Sequence, residues 1–245
     1  MAKKEQSDTV DASAASDDPI ARISFPSKLK ALVSKPGPNP AIHGISIYSD
    51  LVTFYTFVEQ VYFTLTARFP SPTESKVFEK TLQFLTPSHI GEAPVHAAML
   101  ARLSGTRDPS VIAIGALGLT EQAHFFVTEH VPLIEWHKFQ KEPLPKQYLA
   151  QNEEKNVTAN LIEAVDKLNF NIPPYLPHLK ADSAALCVLL DLGLKEMWQI
   201  ETLCVLSKLS GVCSEAFAHE TGSLTNYPFN LPNFVYTKRE ADDEH

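Results

Sequence analysis

Two segments of this chain are small or apolar around their whole circumference as helices, and they limit what it can fold into. One is Val111-Ile-Ala-Ile-Gly-Ala-Leu-Gly-Leu119, which runs on through Thr120-Glu-Gln-Ala-His124-Phe-Phe-Val-Thr-Glu129. The other is Ser183-Ala-Ala-Leu-Cys-Val-Leu-Leu-Asp-Leu192. A helix apolar on every side belongs in the interior of a helical protein. The glycines and alanines of the first segment also allow a neighbouring helix to approach closely. Each segment sits beside one ionisable group, His124 in the first and Asp182 at the head of the second. A histidine and a carboxylate placed this way can share the proton of a carbon acid.

The rest of the pattern is helical as well. Leu51, Phe54, Tyr55, Val58, Tyr62 and Leu65 recur at three and four residues, which predicts a helix over 51–65 that Pro70 ends. Ser71-Pro72-Thr73-Glu74 is a capping box with proline at the first helical position, starting a helix through Leu85. Asp108-Pro109 marks another start. Residues 152–168 place Val157, Leu161, Val165 and Leu168 on one side. A loop with Pro173, Pro174 and Pro177 precedes Asp182, a suitable cap for a helix over 183–192 that Gly193 closes. A helix over 194–209 is expected to stop at Gly211, with a short one following to Glu220. No alternating strand pattern is present, so the fold class is all-α.

Residues 1–19 are polar and acidic, with too little apolar surface to fold, and are expected to be a disordered tail. Residues 20–41 carry four prolines and read as an extended arm, and 227–236 form an apolar extended end expected to dock on the body. Residues 20–245 are thus expected to form one helical domain. The formal net charge of −8 offers no basic stripe for nucleic acid or anionic membrane. Arginine occurs only at 22, 68, 102, 107 and 239. Cys187, Cys204 and Cys213 lie in apolar helical stretches without CxxC spacing and read as buried free thiols, which fits a reducing, cytoplasmic location. Neither a secretory signal nor an unbroken apolar run long enough to span a bilayer is read from the sequence.

The order of elements resembles the citrate synthase and citryl-CoA lyase family. His43-Gly-Ile-Ser-Ile-Tyr-Ser-Asp-Leu, then Phe57-Val-Glu-Gln-Val-Tyr-Phe-Thr-Leu, then Phe69-Pro-Ser-Pro-Thr-Glu, is similar to that family's N-terminal third. Ser88-His89-Ile-Gly91 looks like its "DHG" segment, and Gly118-Leu119 with His124 like its "GLxxxxHG" helix start. Lys180-Ala-Asp182-Ser-Ala-Ala-Leu-Cys-Val-Leu-Leu-Asp-Leu-Gly193 resembles the lyase-type "NVDGAIAALLLDLG".

The resemblance implies a citrate-synthase-like multi-helical domain and carbon–carbon bond formation or cleavage next to an acyl-CoA thioester. Asp182 would be the base, His124 the enol(ate) stabiliser and His89 a substrate-binding residue. The thioester would be a substrate rather than a tightly bound cofactor, with an oxo-acid as co-substrate. A homodimer is implied too, with the aromatic-rich 51–65 stretch as one source of apolar contact area. The family's "GFGHP" string is absent, and only 58 positions (182 − 124) separate His124 from Asp182. The resemblance therefore implies a reduced small domain. No arginine stands in the Ser214-Glu215-Ala-Phe-Ala-His219 segment. These departures keep open a non-catalytic scaffold or regulatory subunit of the same fold, paired with a complete paralogue.

Each candidate also has a purely structural reading. Asp182 suits a helix N-cap, His124 a hydrogen-bonded packing surface, and His89 a helix end. His96, His130, His137 and His178 default to surface or structural roles, and Trp136 and Trp198 to core or dimer face. Glu121-Gln-Ala-His124 has the spacing of a metal-binding pair, but a di-metal bundle needs two such helices, so no metal is expected.

Overall fold

The computed structural model describes residue 28 and residues 30–139, 143–151 and 153–222. The acidic tail 1–19 and the apolar end 227–236 lie outside them. Among the described residues the protein is all-α except for one small sheet. Strands β1 (Ser34–Lys35), β2 (Ala41–Ile42) and β3 (Ile45–Ser46) pair antiparallel in that order. The arm expected to be merely extended folds back on itself here. His43 and Gly44 form the β2–β3 turn with φ of 46° and 84°, the positive pair that a type I′ hairpin turn requires. Strands of two residues are too short to carry an alternating pattern, which is why the sequence does not show them.

The expected helix over 51–65 is interrupted. A π-turn over Ile47–Leu51 leads into α1 (Val52–Phe54), and Tyr55 is then extended at φ −129° and ψ 148°. Thr56 restarts the chain as α2 (Phe57–Thr66) with its own capping box: Thr56 N–H donates to Glu59 Oε2 at 2.8 Å and Glu59 N–H to Thr56 Oγ1 at 3.3 Å. The break turns Phe54 and Phe57 outward, while Tyr62 and Phe63 are buried. Helix α3 (Pro72–Phe84) begins at the expected box, with Ser71 N–H on Glu74 Oε2 at 2.7 Å.

Helices α4 (Ala93–Leu103), α5 (Asp108–Glu129) and α9 (Met197–Phe217) pack together, each against the other two. Gly115 and Gly118 explain how closely: a Cβ on Gly118 would stand 2.9 Å from Pro94 Cα, and one on Gly115 2.9 Å from Val212 Cγ1. By length and composition α5 is apolar enough to cross a membrane, which the sequence reading did not recognise. Here it lies along α4 and α9 with Ile112, Leu117 and Phe125 exposed on its outer side. Helix α9 runs unbroken through Gly211, where a stop was expected. A Cβ there would meet Ser88 Oγ at 2.9 Å, so close approach accounts for the glycine. Trp198 is half exposed on α9, whereas Trp136, on α6 (Val131–Phe139), packs edge-on to Tyr175.

Helix α8 (Ala181–Asp191) is the centre of the fold. Every residue from Ser183 to Leu190 is buried, against α3, α6 and α7 (Glu154–Asp166). Its C-terminal end is held by residues more than a hundred positions earlier. The Leu192 carbonyl accepts from Tyr62 O–H and, at 3.2 Å, from Arg68 Nη2, which also donates to Tyr62 Oη. A cation at a helix C-terminus is favoured by the helix dipole. Glu74 fixes Arg68 in turn, through two N–H···O bonds of 2.9 Å each.

The side-chain bonds from Arg68 hold the Glu74 carboxyl down at about 2, against an ordinary value of 4.5. A carboxyl depressed by folding stabilises the native state above its unfolded value. That contribution fades as pH falls from about 4.5 to about 2. Glu74→Gln is therefore expected to lower the melting temperature at neutral pH and to flatten its acid decline. The two melting curves should converge near pH 2, and a constant gap down to that pH would refute the assignment.

Candidate active site

A cavity of about 580 Å³ lies where the second half of α5, the start of α8 and the middle of α9 meet, with the end of α3 and the face of α7 completing its wall. That size is within the ordinary range for a small-molecule site. Leu119, Phe125, Phe126 and Val157 supply apolar wall, and Asp182, His130, Lys180, Lys208 and Gln122 are among its polar groups.

Asp182 reaches this cavity, but not as a cap. The helix starts two residues earlier than expected: Lys180 is the N-cap and makes no side-chain cap bond, and Asp182 is the second helical residue. Lys180 N–H bonds the Tyr148 carbonyl at 2.9 Å and Ala150 N–H the His178 carbonyl at 2.9 Å, so strand-like pairing of these loops sets where α8 begins. Asp182 Oδ1 accepts from Ser183 N–H at 2.6 Å and from Ser183 O–H at 3.2 Å.

The imidazole at this cavity is His130 rather than His124. His124 lies elsewhere on the α5 surface, two-thirds exposed, with Nδ1 2.8 Å from Glu201 Oε1 of α9. That is the helix-packing role weighed against catalysis above, and the structure does not bring His124 and Asp182 together. Gly118 and Leu119 lie mid-helix, not at a helix start. His89 also stays off the cavity wall: it is exposed in the turn before α4, where its Nδ1 accepts from Gly91 N–H at 3.1 Å.

His130 owes its place to Pro132. A proline two residues on has no N–H for the Thr128 carbonyl, and the helix breaks at His130, α5 ending at Glu129 and α6 starting at Val131. His130 sits at that joint (φ −94°, ψ 2°) and is 7% exposed. Its ring lies 4.3 Å from Phe126 and 5.1 Å from Tyr148, centre to centre. Nδ1 donates to the Phe126 carbonyl at 2.8 Å, which leaves Nε2 3.0 Å from Ser183 Oγ. The sequence signal was available: a histidine two residues before a proline, closing an apolar helix, is held at a buried joint. It was assigned a surface or structural role instead.

Two lysines, Lys180 and Lys208, stand on the wall, which carries no arginine. Lys208 Nζ is 3.3 Å from Glu92 Oε2, an oxygen that also accepts from Gln122 Nε2 at 2.9 Å. Gln122 Oε1 is buried and has no hydrogen-bond partner among the described residues. Cys204 also lines the cavity, but burial pushes its thiol up to about 11, so it is a neutral wall group and not a nucleophile. Cys187, in α8, is pushed up to about 12 by burial. Among the described residues no three His, Cys, Asp or Glu side chains are grouped to hold a metal ion.

No family model matches the chain, and no curated protein does. Solved structures do. The citryl-CoA lyase of Hydrogenobacter thermophilus superposes with a TM-score of 0.60 at 17% identity, over 87% of this chain and 97% of that one. The ATP citrate lyase of Methanothrix soehngenii, in complex with citrate and coenzyme A, superposes at 0.56 and 13% identity. It covers 98% of this chain, which spans 47% of the lyase. An ATP citrate lyase variant from Methanosaeta concilii, in complex with (3S)-citryl-CoA, gives 0.56 and 13% over 99% and 47%. The fold is thus citrate-synthase-like and citryl-CoA-lyase-like, and nearly all of the Hydrogenobacter lyase has a counterpart here.

Proposed function

We propose that this chain, with the fold of a citryl-CoA lyase, makes or breaks the carbon–carbon bond next to an acyl-CoA carbonyl. One observation carries the proposal: Asp182 and His130 reach one cavity at the head of the most deeply buried helix, and two ammonium groups share its wall. A thioester α-proton is weakly acidic, so a carboxylate can remove it only where the enolate oxygen meets positive charge or hydrogen-bond donors. Asp182 is the base in the condensing direction and returns the proton in cleavage. Lys180 and Lys208 supply positive potential for the enolate and for the carboxylates of an oxo-acid. The imidazole's part passes from His124 to His130.

The test is ligand-dependent melting with acetyl-CoA, citryl-CoA and free CoA, followed by an assay for citryl-CoA cleavage. A ligand at a hundred times its Kd is expected to raise the melting temperature by about 5–10 °C. No shift at millimolar thioester would refute the proposal. It would favour instead a non-catalytic subunit of this fold, to which the lack of any arginine on the cavity wall also points.

A further inference from the structure

We infer that Ser183 relays a proton between Asp182 and His130, so that carboxylate and imidazole work as one acid–base unit. Its catalytic meaning rests on the proposed role of Asp182, but the geometry does not. Ser183 Oγ is 3.2 Å from Asp182 Oδ1 and 3.0 Å from His130 Nε2. Asp182 opens to the cavity, while Ser183 is wholly buried behind it.

The direction of each bond follows from what the partners can do. The Phe126 carbonyl only accepts, so Nδ1 of His130 carries a proton and Nε2 of the neutral ring is an acceptor. Once Asp182 has taken a proton from carbon, its O–H can donate to Ser183 Oγ while Ser183 O–H donates to Nε2. Transfer of both protons along these bonds breaks the Asp182 O–H bond and forms an N–H bond on His130. At Ser183 one O–H bond breaks and another forms, so the hydroxyl is unchanged. Asp182 ends ionised and His130 ends as imidazolium, with both hydrogen bonds now pointing the other way. The proton is thereby stored on a ring that is only 7% exposed. A serine that merely satisfied a buried imidazole would need no bond to the carboxylate.

The other titratable groups facing this cavity are Glu129 on α5, Glu154 on α7, Lys180 before α8, and Cys204 and Lys208 on α9; Tyr148 flanks the His130 ring. None of them lies in the path from Oδ1 through Oγ to Nε2, so a double-mutant comparison isolates it. The experiment follows the imidazole nitrogens of His130 by NMR from pH 4 to 9 in the full chain, with and without Asp182→Asn. Removing the carboxylate is expected to lower the His130 midpoint when Ser183 is intact, since a nearby anion favours the charged ring. In the Ser183→Ala background the same change is expected to fall below about a third of that, because the path is cut. Equal lowering in both backgrounds would overturn the inference. Ser183→Cys, of similar size but a weaker bridge, serves if Ser183→Ala does not fold, and undiminished coupling there would overturn it equally. No substrate is needed. A protein inert toward CoA thioesters would count against the acyl-CoA proposal alone, and the midpoints would still decide the relay.

Discussion

Asp182→Asn is expected to lower kcat for citryl-CoA cleavage by about 10²–10⁴-fold, the usual contribution of a positioned general acid or base. The amide keeps the size of the carboxylate and can still accept from Ser183 N–H, but it cannot hold a transferred proton. Stability should change little. The side chain is exposed to the cavity, and the loss is confined to an anion near a helix N-terminus, worth about 0.3–1 kcal/mol. A large fall in kcat with a melting temperature within about 3 °C of the parent is the expected pair of results. Full turnover in this variant would show that another group takes the proton. His124→Asn serves as the contrast, because its imidazole is bonded to Glu201 at the protein surface. It should leave kcat within about threefold.

Gly118→Val carries the largest expected loss of stability. The new Cβ would lie 2.9 Å from Pro94 Cα and 3.2 Å from Pro94 Cβ, both parts of a rigid ring and backbone. Valine is stiff at χ1, so neither partner can rotate away. Helices α4 and α5 must then separate, at a cost of about 1–3 kcal/mol for overpacking. Urea denaturation should show a lower midpoint with an unchanged slope. Gly118 was singled out above as part of a site motif; on the structure it acts by letting two helices touch. An unaltered midpoint would mean that the helices are not held at this distance.

The features that sequence revealed correctly are local ones. A capping box such as Ser71 to Glu74 fixes its own hydrogen bonds within four residues, so α3 was placed to within a residue. Helix α8 was equally plain, because only an interior position suits Ser183 through Leu190. What failed was orientation. Helix α5 has no polar face to align: Val111, Leu119 and Val127 point inward while Ile112, Leu117 and Phe125 point out, and nothing in their chemistry separates the two sets. His124 was chosen by motif, yet the cavity takes His130, whose direction is set by the joint at Pro132. The lysines were missed for a related reason. Lys180 and Lys208 are far apart in the chain, and only the tertiary fold brings them to one wall.

Helix α8 is a lever as well as a core element. Its 11 residues span about 16 Å, with Asp182 near one tip and the Tyr62–Arg68–Leu192 junction at the other. A swing of about four degrees around that fulcrum would carry the carboxylate about 1 Å, enough in general to cost two orders of magnitude in rate. The chemistry proposed for the head of this rod would thus be answerable to an ion pair at its foot, contributed by the first third of the chain.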